Sequence, residues 1–114
     1  MRTALPEIDR ETLWAKLERE DPLVVVDALA PITYAARRLP GAINIPPDRV
    51  DELAGSRIPG IDTEVVVYCA DADCDASVEV AERLIELGYR NVRHYSGGKR
   101  DWADADLPFE GGRV

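Results

Sequence analysis

Two short runs of consecutive apolar residues constrain the fold of this chain most strongly. They lie at residues 23–26, which read LVVV, and within residues 64–68, which read EVVVY. A strand with one face in water alternates apolar and polar residues, whereas a strand covered on both faces is apolar throughout. Because helix-like segments separate the strand-like runs, we predict βαβ units with right-handed crossovers in a mostly parallel sheet. The sequence therefore indicates the α/β class.

The remaining elements follow from apolar periodicity and from breaks at Gly and Pro. Asp9 is the predicted N-cap of a first helix, which presents Leu13, Trp14 and Leu17 on one side. Further strands are predicted at residues 42–45 and 91–95. Further helices are predicted at residues 32–38, 48–53, 76–87 and 99–105, with residues 55–62 as a loop and residues 111–114 as a frayed tail. In the helix over residues 76–87 we expect the core-facing side chains to be Val78, Ala81, Leu84 and Ile85.

Length and charge limit what the chain can be. Its 114 residues fit a single domain over residues 1–114. The net charge of −8, from 22 acidic and 14 basic side chains, argues against a nucleic acid or an anionic membrane as partner. No apolar run reaches the roughly 20 residues of a membrane span, and residues 1–17 lack the apolar segment of a secretory signal. We therefore expect a cytoplasmic protein with reduced cysteines.

Cys69 is the side chain most suited to chemistry. It follows directly on the apolar run that ends at Tyr68, so it lies at the edge of a parallel sheet where active sites form. The loop after it leads into a helix, whose first N–H groups have no partner in the helix and favour negative charge. Such groups would stabilise a thiolate or a persulfide. The alternative interpretation is a small apolar side chain buried at the end of a strand.

Four motifs, in order along the chain, resemble the rhodanese family. Residues 27–46 (DALAPITYAARRLPGAINIP) align without a gap to the pattern D-V-R-x-x-x-E-Y-x-x-G-H-I-P-G-A-I-N-I-P. Residues 65–69 (VVVYC) resemble V-V-Y-C, and residues 87–92 (LGYRNV) resemble L-G-Y-x-N-V. Residues 96–102 (SGGKRDW), with Leu107 and Pro108, resemble the family ending x-G-G-x-x-x-W…G-L-P. The chain is accordingly identified as a rhodanese-like protein.

This resemblance implies a three-layer fold in which helices flank a mostly parallel, five-stranded sheet. It also implies a loop cysteine, here Cys69, that accepts sulfane sulfur as a persulfide and passes it to a nucleophile. The implied partners are a small-molecule or protein sulfur donor and an acceptor such as cyanide or a thiol. We predict no cofactor.

The loop after Cys69 departs from the family pattern C-x-x-G-x-R-S. It reads CADADCDAS, which makes it two residues longer, and the chain has no arginine between Cys69 and Arg83. Carboxylates near a thiol raise its pKa and repel anions, so we expect weak activity with thiosulfate, a dianion. The predicted loop residues after the cysteine, apart from Cys74, are Ala70, Asp71, Ala72, Asp73, Asp75, Ala76 and Ser77.

Cys74 and four charged residues complete the predicted site. Cys74 lies in the same loop, so it could approach Cys69 and act as a resolving thiol, or it could be a passive side chain. The possible rim residues are Asp27, Arg38, Lys99 and Arg100. We interpret the three bases as solvated surface groups and Asp27 as a strand-end carboxylate that caps backbone or pairs with a base.

No metal is predicted, because the spacing of Cys69, Cys74 and the aspartates matches no standard metal site. The one histidine, His94, lies in a predicted strand and is interpreted as a structural or rim residue. Three functions remain open: a sulfurtransferase or persulfide carrier through Cys69, a thiol redox protein through both cysteines, and a non-catalytic rhodanese-fold binding module.

Overall fold

Four parallel strands form the central sheet in the computed structural model, which describes residues 5–112. They are β1 (Val24–Asp27), β2 (Ile43–Asn44), β3 (Val65–Tyr68) and β4 (Val92–Tyr95), arranged in the order β2-β1-β3-β4. All residues of β3 are buried, as expected for a strand covered on both faces. The predicted α/β fold with a mostly parallel sheet is confirmed.

Five helices flank this sheet and make three layers. They are α1 (Arg10–Glu18), α2 (Pro31–Ala36), α3 (Val50–Arg57), α4 (Ala76–Glu86) and α5 (Gly98–Asp104), and a 3-10 turn (Pro47–Arg49) precedes α3. Alternate strand residues enter two separate cores, since successive side chains of a strand point to opposite faces. Val67 and Cys69 enter the core under α3 and α4, whereas Val66 and Tyr68 enter the core that contains Leu13 of α1 and Trp102 of α5.

A fifth strand was expected, but the sheet has four because the segment that would supply it forms only one bridge. Glu7 pairs with His94 through two backbone bonds: His94 N–H donates to Pro6 O (2.8 Å), and Ile8 N–H donates to His94 O (3.1 Å). Another rung toward the N-terminus would need an N–H at Pro6, which proline lacks. In the other direction, Asp9 caps α1 by accepting the Thr12 N–H (2.7 Å).

Two predictions about the helices are wrong. The predicted helix over residues 48–53 continues through Gly55 to Arg57, because Val50, Ala54 and Ile58 bury one continuous side of it. Packing therefore outweighs the breaker tendency of Gly55.

The core-facing side of α4 was also misassigned. The buried residues of this helix are Ser77, Val80, Ala81 and Leu84, whereas Val78 is half-buried and Ile85 is 42% exposed. The difference arises because a polar residue, Ser77, faces the interior. Its contacts with the side chains of Cys69, just after β3, and of His94 in β4 hold it there, and a purely apolar pattern cannot reveal this.

The C-terminal segment is hydrogen-bonded to the rest of the fold as far as Gly112, within the tail that was predicted to fray. Arg38 and Glu110 form an antiparallel bridge, and Gly112 N–H donates to Ala35 O (3.1 Å). Residues 113–114 of the predicted tail and residues 1–4 of the predicted domain lie outside the described residues. Within residues 5–112, no helix is long and apolar enough to cross a membrane.

Two glycines with open space around them offer a test of the helix geometry. Gly55 lies inside α3, and Gly88 follows α4 with φ +107°; an added Cβ meets nothing within 4 Å at either position. We expect Gly55→Ala to stabilise the protein by about 0.5–1 kcal/mol, because alanine is the better helix former. We expect Gly88→Ala to destabilise it by about 1 kcal/mol, because a Cβ disfavours positive φ. Urea midpoints at unchanged m-value measure both; a loss of stability in Gly55→Ala would contradict the helical assignment.

Candidate active site

Cys69 begins a loop at the carboxyl end of β3, and this loop runs over residues 69–75 into α4. The start of α5 anchors it, since Lys99 N–H donates to Cys69 O (3.0 Å) and Arg100 N–H donates to Ala70 O (2.9 Å). This approach requires Gly98, which has φ +65° and whose added Cβ would collide with the Cys69 carbonyl oxygen. The loop is thus fixed by backbone bonds from the C-terminal part of the fold.

Hydrogen bonds within the loop fold its acidic part into a turn. Asp73 N–H donates to Asp71 Oδ1 (3.0 Å), and Cys74 N–H donates to Asp71 O (3.2 Å). Asx turns of this kind are a common use of aspartate in loops. The turn brings Cys74 back over Cys69.

Cys69 and Cys74 are paired as a disulfide, with their Cα atoms 6.3 Å apart. Cys69 is 1% exposed and belongs to the core under α3 and α4, whereas Cys74 is half-buried and packs against that core from outside. The burial of Cys69 matches the alternative sequence interpretation of a core cysteine. Its contacts with Cys74 and with polar groups distinguish it from an inert one.

The polar neighbours of the Cys69 sulfur are the Ser77 hydroxyl and the Cys74 carbonyl oxygen, at 3.4 Å, rather than the expected loop amides. Ser77 Oγ lies 3.1 Å from Cys69 Sγ, and among residues 5–112 no backbone N–H donates to that sulfur. Ser77 Oγ is in turn 2.8 Å from His94 Nε2, and His94 Nδ1 is 3.4 Å from Glu7 Oε2. A continuous hydrogen-bonded chain therefore runs from Cys69 to a carboxylate at the surface.

His94 was interpreted from the sequence as a structural or rim residue, and its position beside Ser77 was missed. The register of the sheet aligns His94 of β4 with Val67 of β3, so both side chains point to the same face of the sheet. Cys69 follows Val67 by two residues and points to that face as well. Correct strand pairing would have placed His94 beneath α4.

The loop carries uncompensated negative charge. Asp71 is half-buried and Asp73 and Asp75 are exposed, and no basic side chain of residues 5–112 forms a salt bridge with any of them. Asp75 occupies the N-cap position of α4 without a capping bond from its side chain. An anion that approaches Cys69 from this side meets repulsion.

The predicted solvated position of Lys99 is wrong. Its side chain is 8% exposed, and its Nζ lies 3.5 Å from Asp27 Oδ2 and donates to Thr33 O (3.2 Å). Burial lowers the Lys99 pKa, which the negative charge of Asp27 partly offsets. Lys99 therefore neutralises a buried carboxylate instead of contacting the loop with its charge.

Asp27 is the centre of a second buried polar cluster. It accepts hydrogen bonds from Leu29 N–H (2.9 Å) and from Tyr68 O–H (2.7 Å), while Tyr68 Oη accepts the Leu39 N–H (3.0 Å). Burial, and next the charge of Asp27, raises the pKa of Tyr68 far above its usual value. Tyr68 points into the core opposite to that of Cys69, so this cluster supports the strand ends from the other face.

The two remaining predicted rim bases do not reach the sulfur. Arg38 lies over the ring of Tyr34, with its Cζ 4.7 Å from the ring centroid. Arg100 is exposed and contacts the loop through its backbone N–H. Within residues 5–112, no group of three or more His, Cys, Asp and Glu side chains is placed to bind a metal ion.

Comparisons with known proteins identify the family of this fold and loop. The family model of the rhodanese-like domain matches residues 9–105. A curated sulfurtransferase of Allochromatium vinosum is 31% identical over 103 residues, covering 90% of this chain and 92% of that protein.

Two solved structures show the same fold. The BH2092 protein of Bacillus halodurans has a TM-score of 0.86 at 24% identity, covering 94% of this chain and 77% of the other. Thiosulfate sulfurtransferase of Pseudomonas aeruginosa has a TM-score of 0.83 at 23% identity, covering 96% of this chain and 21% of that chain.

Substitution of Gly98 tests whether α5 holds the loop. We expect Gly98→Ala to destabilise the protein by about 2–4 kcal/mol, because the Cβ both disfavours positive φ and displaces the carbonyl groups of the loop. Gly88→Ala is the matched control, since it introduces a strained φ without a collision. Urea unfolding measures both. Equal losses in the two variants would show that the contact between Gly98 and Cys69 O contributes nothing.

Proposed function

Because the chain belongs to the rhodanese-like family, we propose that it transfers sulfane sulfur through a persulfide on Cys69. The observation that carries this proposal is the position of Cys69 at the carboxyl end of β3, in a loop fixed by α5 and next to a second sulfur. The name of the Allochromatium vinosum relative supports the same reaction class.

The transfer consists of two displacements at sulfur. The Cys69 thiolate attacks the outer sulfur of a donor persulfide; an S–S bond forms on Cys69, and the donor leaves as its own thiolate. An acceptor thiolate or cyanide then attacks that outer sulfur and releases the Cys69 thiolate. Neither step needs an external oxidant or reductant, because sulfane sulfur only changes its carrier.

The charge of the loop favours some donors over others. Asp71, Asp73 and Asp75 lie close to the sulfur in sequence, with no basic side chain of residues 5–112 paired to them. At about 6 Å and an effective dielectric of about 20, one unit charge repels another by roughly 3 kcal/mol before salt screening. We propose low-molecular-weight or protein persulfides as donors rather than thiosulfate.

Cys74 gives the loop a way to end the persulfide state. A Cys74 thiolate that attacks the inner sulfur of the Cys69 persulfide closes the Cys69–Cys74 disulfide and expels hydrosulfide. A dithiol reductant then restores both thiols. In the reducing cytoplasm expected from the sequence, the disulfide would be transient. The observed pairing of the cysteines also favours the second candidate function, thiol–disulfide redox chemistry.

Mass spectrometry after loading with a persulfide donor tests the proposal. We expect reduced Cys74→Ser protein to gain about 32 Da, one sulfur atom, and to lose it to cyanide or a thiol. The unmodified chain should instead release hydrosulfide and form the disulfide, because Cys74 resolves the persulfide. Cys69→Ser is the control and should gain nothing.

The same measurement distinguishes the alternatives. A sulfur gain by Cys69→Ser, or its absence from Cys74→Ser, would contradict sulfur transfer through Cys69. If the unmodified chain forms the disulfide reversibly but Cys74→Ser gains no sulfur, the result would support the thiol redox function instead of sulfur transfer. Thiols inert to both donor and oxidant would indicate a binding module.

Neutralising the loop tests the proposed donor preference. We expect Asp71→Asn/Asp73→Asn/Asp75→Asn to raise kcat/KM for thiosulfate by roughly tenfold at low ionic strength and by much less at 1 M salt. Glu18→Gln/Glu20→Gln/Asp62→Asn is the matched control, because it removes the same charge at the opposite edge of the sheet. An equal gain in the control would show that net charge, not the loop, repels the dianion.

A further inference from the structure

We propose that His94 takes up the proton of the Cys69 thiol through Ser77 and so generates the reactive thiolate. This inference rests on the proposed function, since it concerns the nucleophile of that reaction. His94 acts on the sulfur through another side chain and is therefore a positioning residue.

The geometry forms an unbroken path for a proton. Cys69 Sγ is 3.1 Å from Ser77 Oγ, which is 2.8 Å from His94 Nε2. All three residues are buried, with His94 the most exposed at 8%. Each comes from a different part of the fold, namely the loop that follows β3, the first turn of α4 and strand β4. Packing of the whole domain thus holds the three groups together.

The surroundings of Cys69 make such a partner necessary. A thiolate buried among apolar side chains is destabilised, and the neighbouring aspartates add to this effect. The expected loop amides do not contact the sulfur, and Lys99 is committed to Asp27. Among residues 5–112, His94 is the one side chain able to become a cation within two hydrogen bonds of the sulfur.

The protons balance along the path. The proposed His94 tautomer carries its proton on Nδ1, which faces Glu7 Oε2, so that Nε2 is the acceptor for the Ser77 O–H. In this proposal the S–H of reduced Cys69 donates to Ser77 Oγ, which at 3.1 Å is nearer to the sulfur than the alternative acceptor, Cys74 O, at 3.4 Å. When Ser77 passes its proton to Nε2 and takes the thiol proton, the products are a thiolate, an unchanged serine and an imidazolium ion. No oxidant or other reactant is required.

Glu7 lies beside the second ring nitrogen of His94, at the edge of the sheet. Its carboxylate lies 3.4 Å from Nδ1, and the segment that carries it is paired with β4 through the backbone of His94. The titratable groups that face His94 are Glu7 from this segment and, through Ser77 of α4, Cys69 from the loop after β3. The loop aspartates are the further charges near Cys69. The carboxylate thereby places a negative charge beside the ring without contacting the sulfur.

The test is a titration of the Cys69 thiolate by its absorbance at 240 nm, which needs no reagent to enter the site. Cys74→Ser protein gives a single thiol, and the Cys69→Ser/Cys74→Ser protein supplies the background. His94→Gln is compared with His94→Leu, because the glutamine amide can still bond Ser77 but cannot take a proton. Urea midpoints of each variant check that the domain is folded.

We expect Cys69 to ionise at least one pH unit below the usual value of about 8.5 in the parent, and at least one unit higher in both His94 variants. Glu7→Gln should give a smaller rise, because it keeps an acceptor for Nδ1–H and loses only the charge. A His94→Gln titration equal to that of the parent would overturn the proposal and leave His94 a hydrogen-bonding role. So would a parent that ionises at or above the usual value.

This outcome is separable from that of the proposed function. The titration uses no sulfur donor, whereas the mass measurement uses no titration. Unchanged thiol ionisation in His94→Gln together with normal sulfur loading would reject the relay and retain sulfur transfer. A Cys69 thiol pKa that is lowered in the parent and rises in His94→Gln, without sulfur loading, would retain the relay and reject sulfur transfer.

Discussion

The parallel pairing of β3 with β1 and β4 sets the relative positions of Asp27, Tyr68 and His94 and of the loop that begins at Cys69. Its register aligns Asp27 with Tyr68 and Val67 with His94. Because side chains alternate across a strand, one residue step separates two chemically different environments. Tyr68 enters the core under α1 and α5, and Cys69 enters the core under α3 and α4. A slip of one residue would exchange them.

Each face of the sheet carries a buried polar cluster near the strand ends, and each is fully paired. Asp27, Tyr68 and Lys99 form one, while Cys69, Ser77 and His94 form the other. Among the described residues, no buried side-chain nitrogen or oxygen lacks a hydrogen-bond partner. An unpaired buried polar group costs about 1–3 kcal/mol, so each cluster fixes the relative positions of the elements that supply it. The fold thereby holds its reactive groups at defined distances.

Periodic patterns and local motifs could be predicted from the sequence, whereas contacts between side chains that are distant in the chain could not. Apolar runs and helical periodicity predicted the parallel sheet, and the motifs predicted both the family and the loop of Cys69. The burial of Lys99 was missed because a basic residue after a glycine turn has the pattern of a surface group, and only Asp27, distant in the chain, explains it. The partnership of Ser77 with His94 was missed for the same reason, since it joins positions 17 residues apart through a helix crossover. Periodicity describes one element at a time, whereas these pairs depend on strand register.

The proline beside β4 has a consequence for the open edge of the sheet. An open strand edge exposes unpaired N–H and C=O groups and can recruit a strand from another molecule. Here the backbone groups of His94 are already bonded to Pro6 and Ile8, and Pro6 has no N–H with which to lengthen the pairing. At the far side, β2 is only two residues long. The bridge at His94 and the shortness of β2 thus leave little open backbone at either edge with which a strand of another molecule could pair.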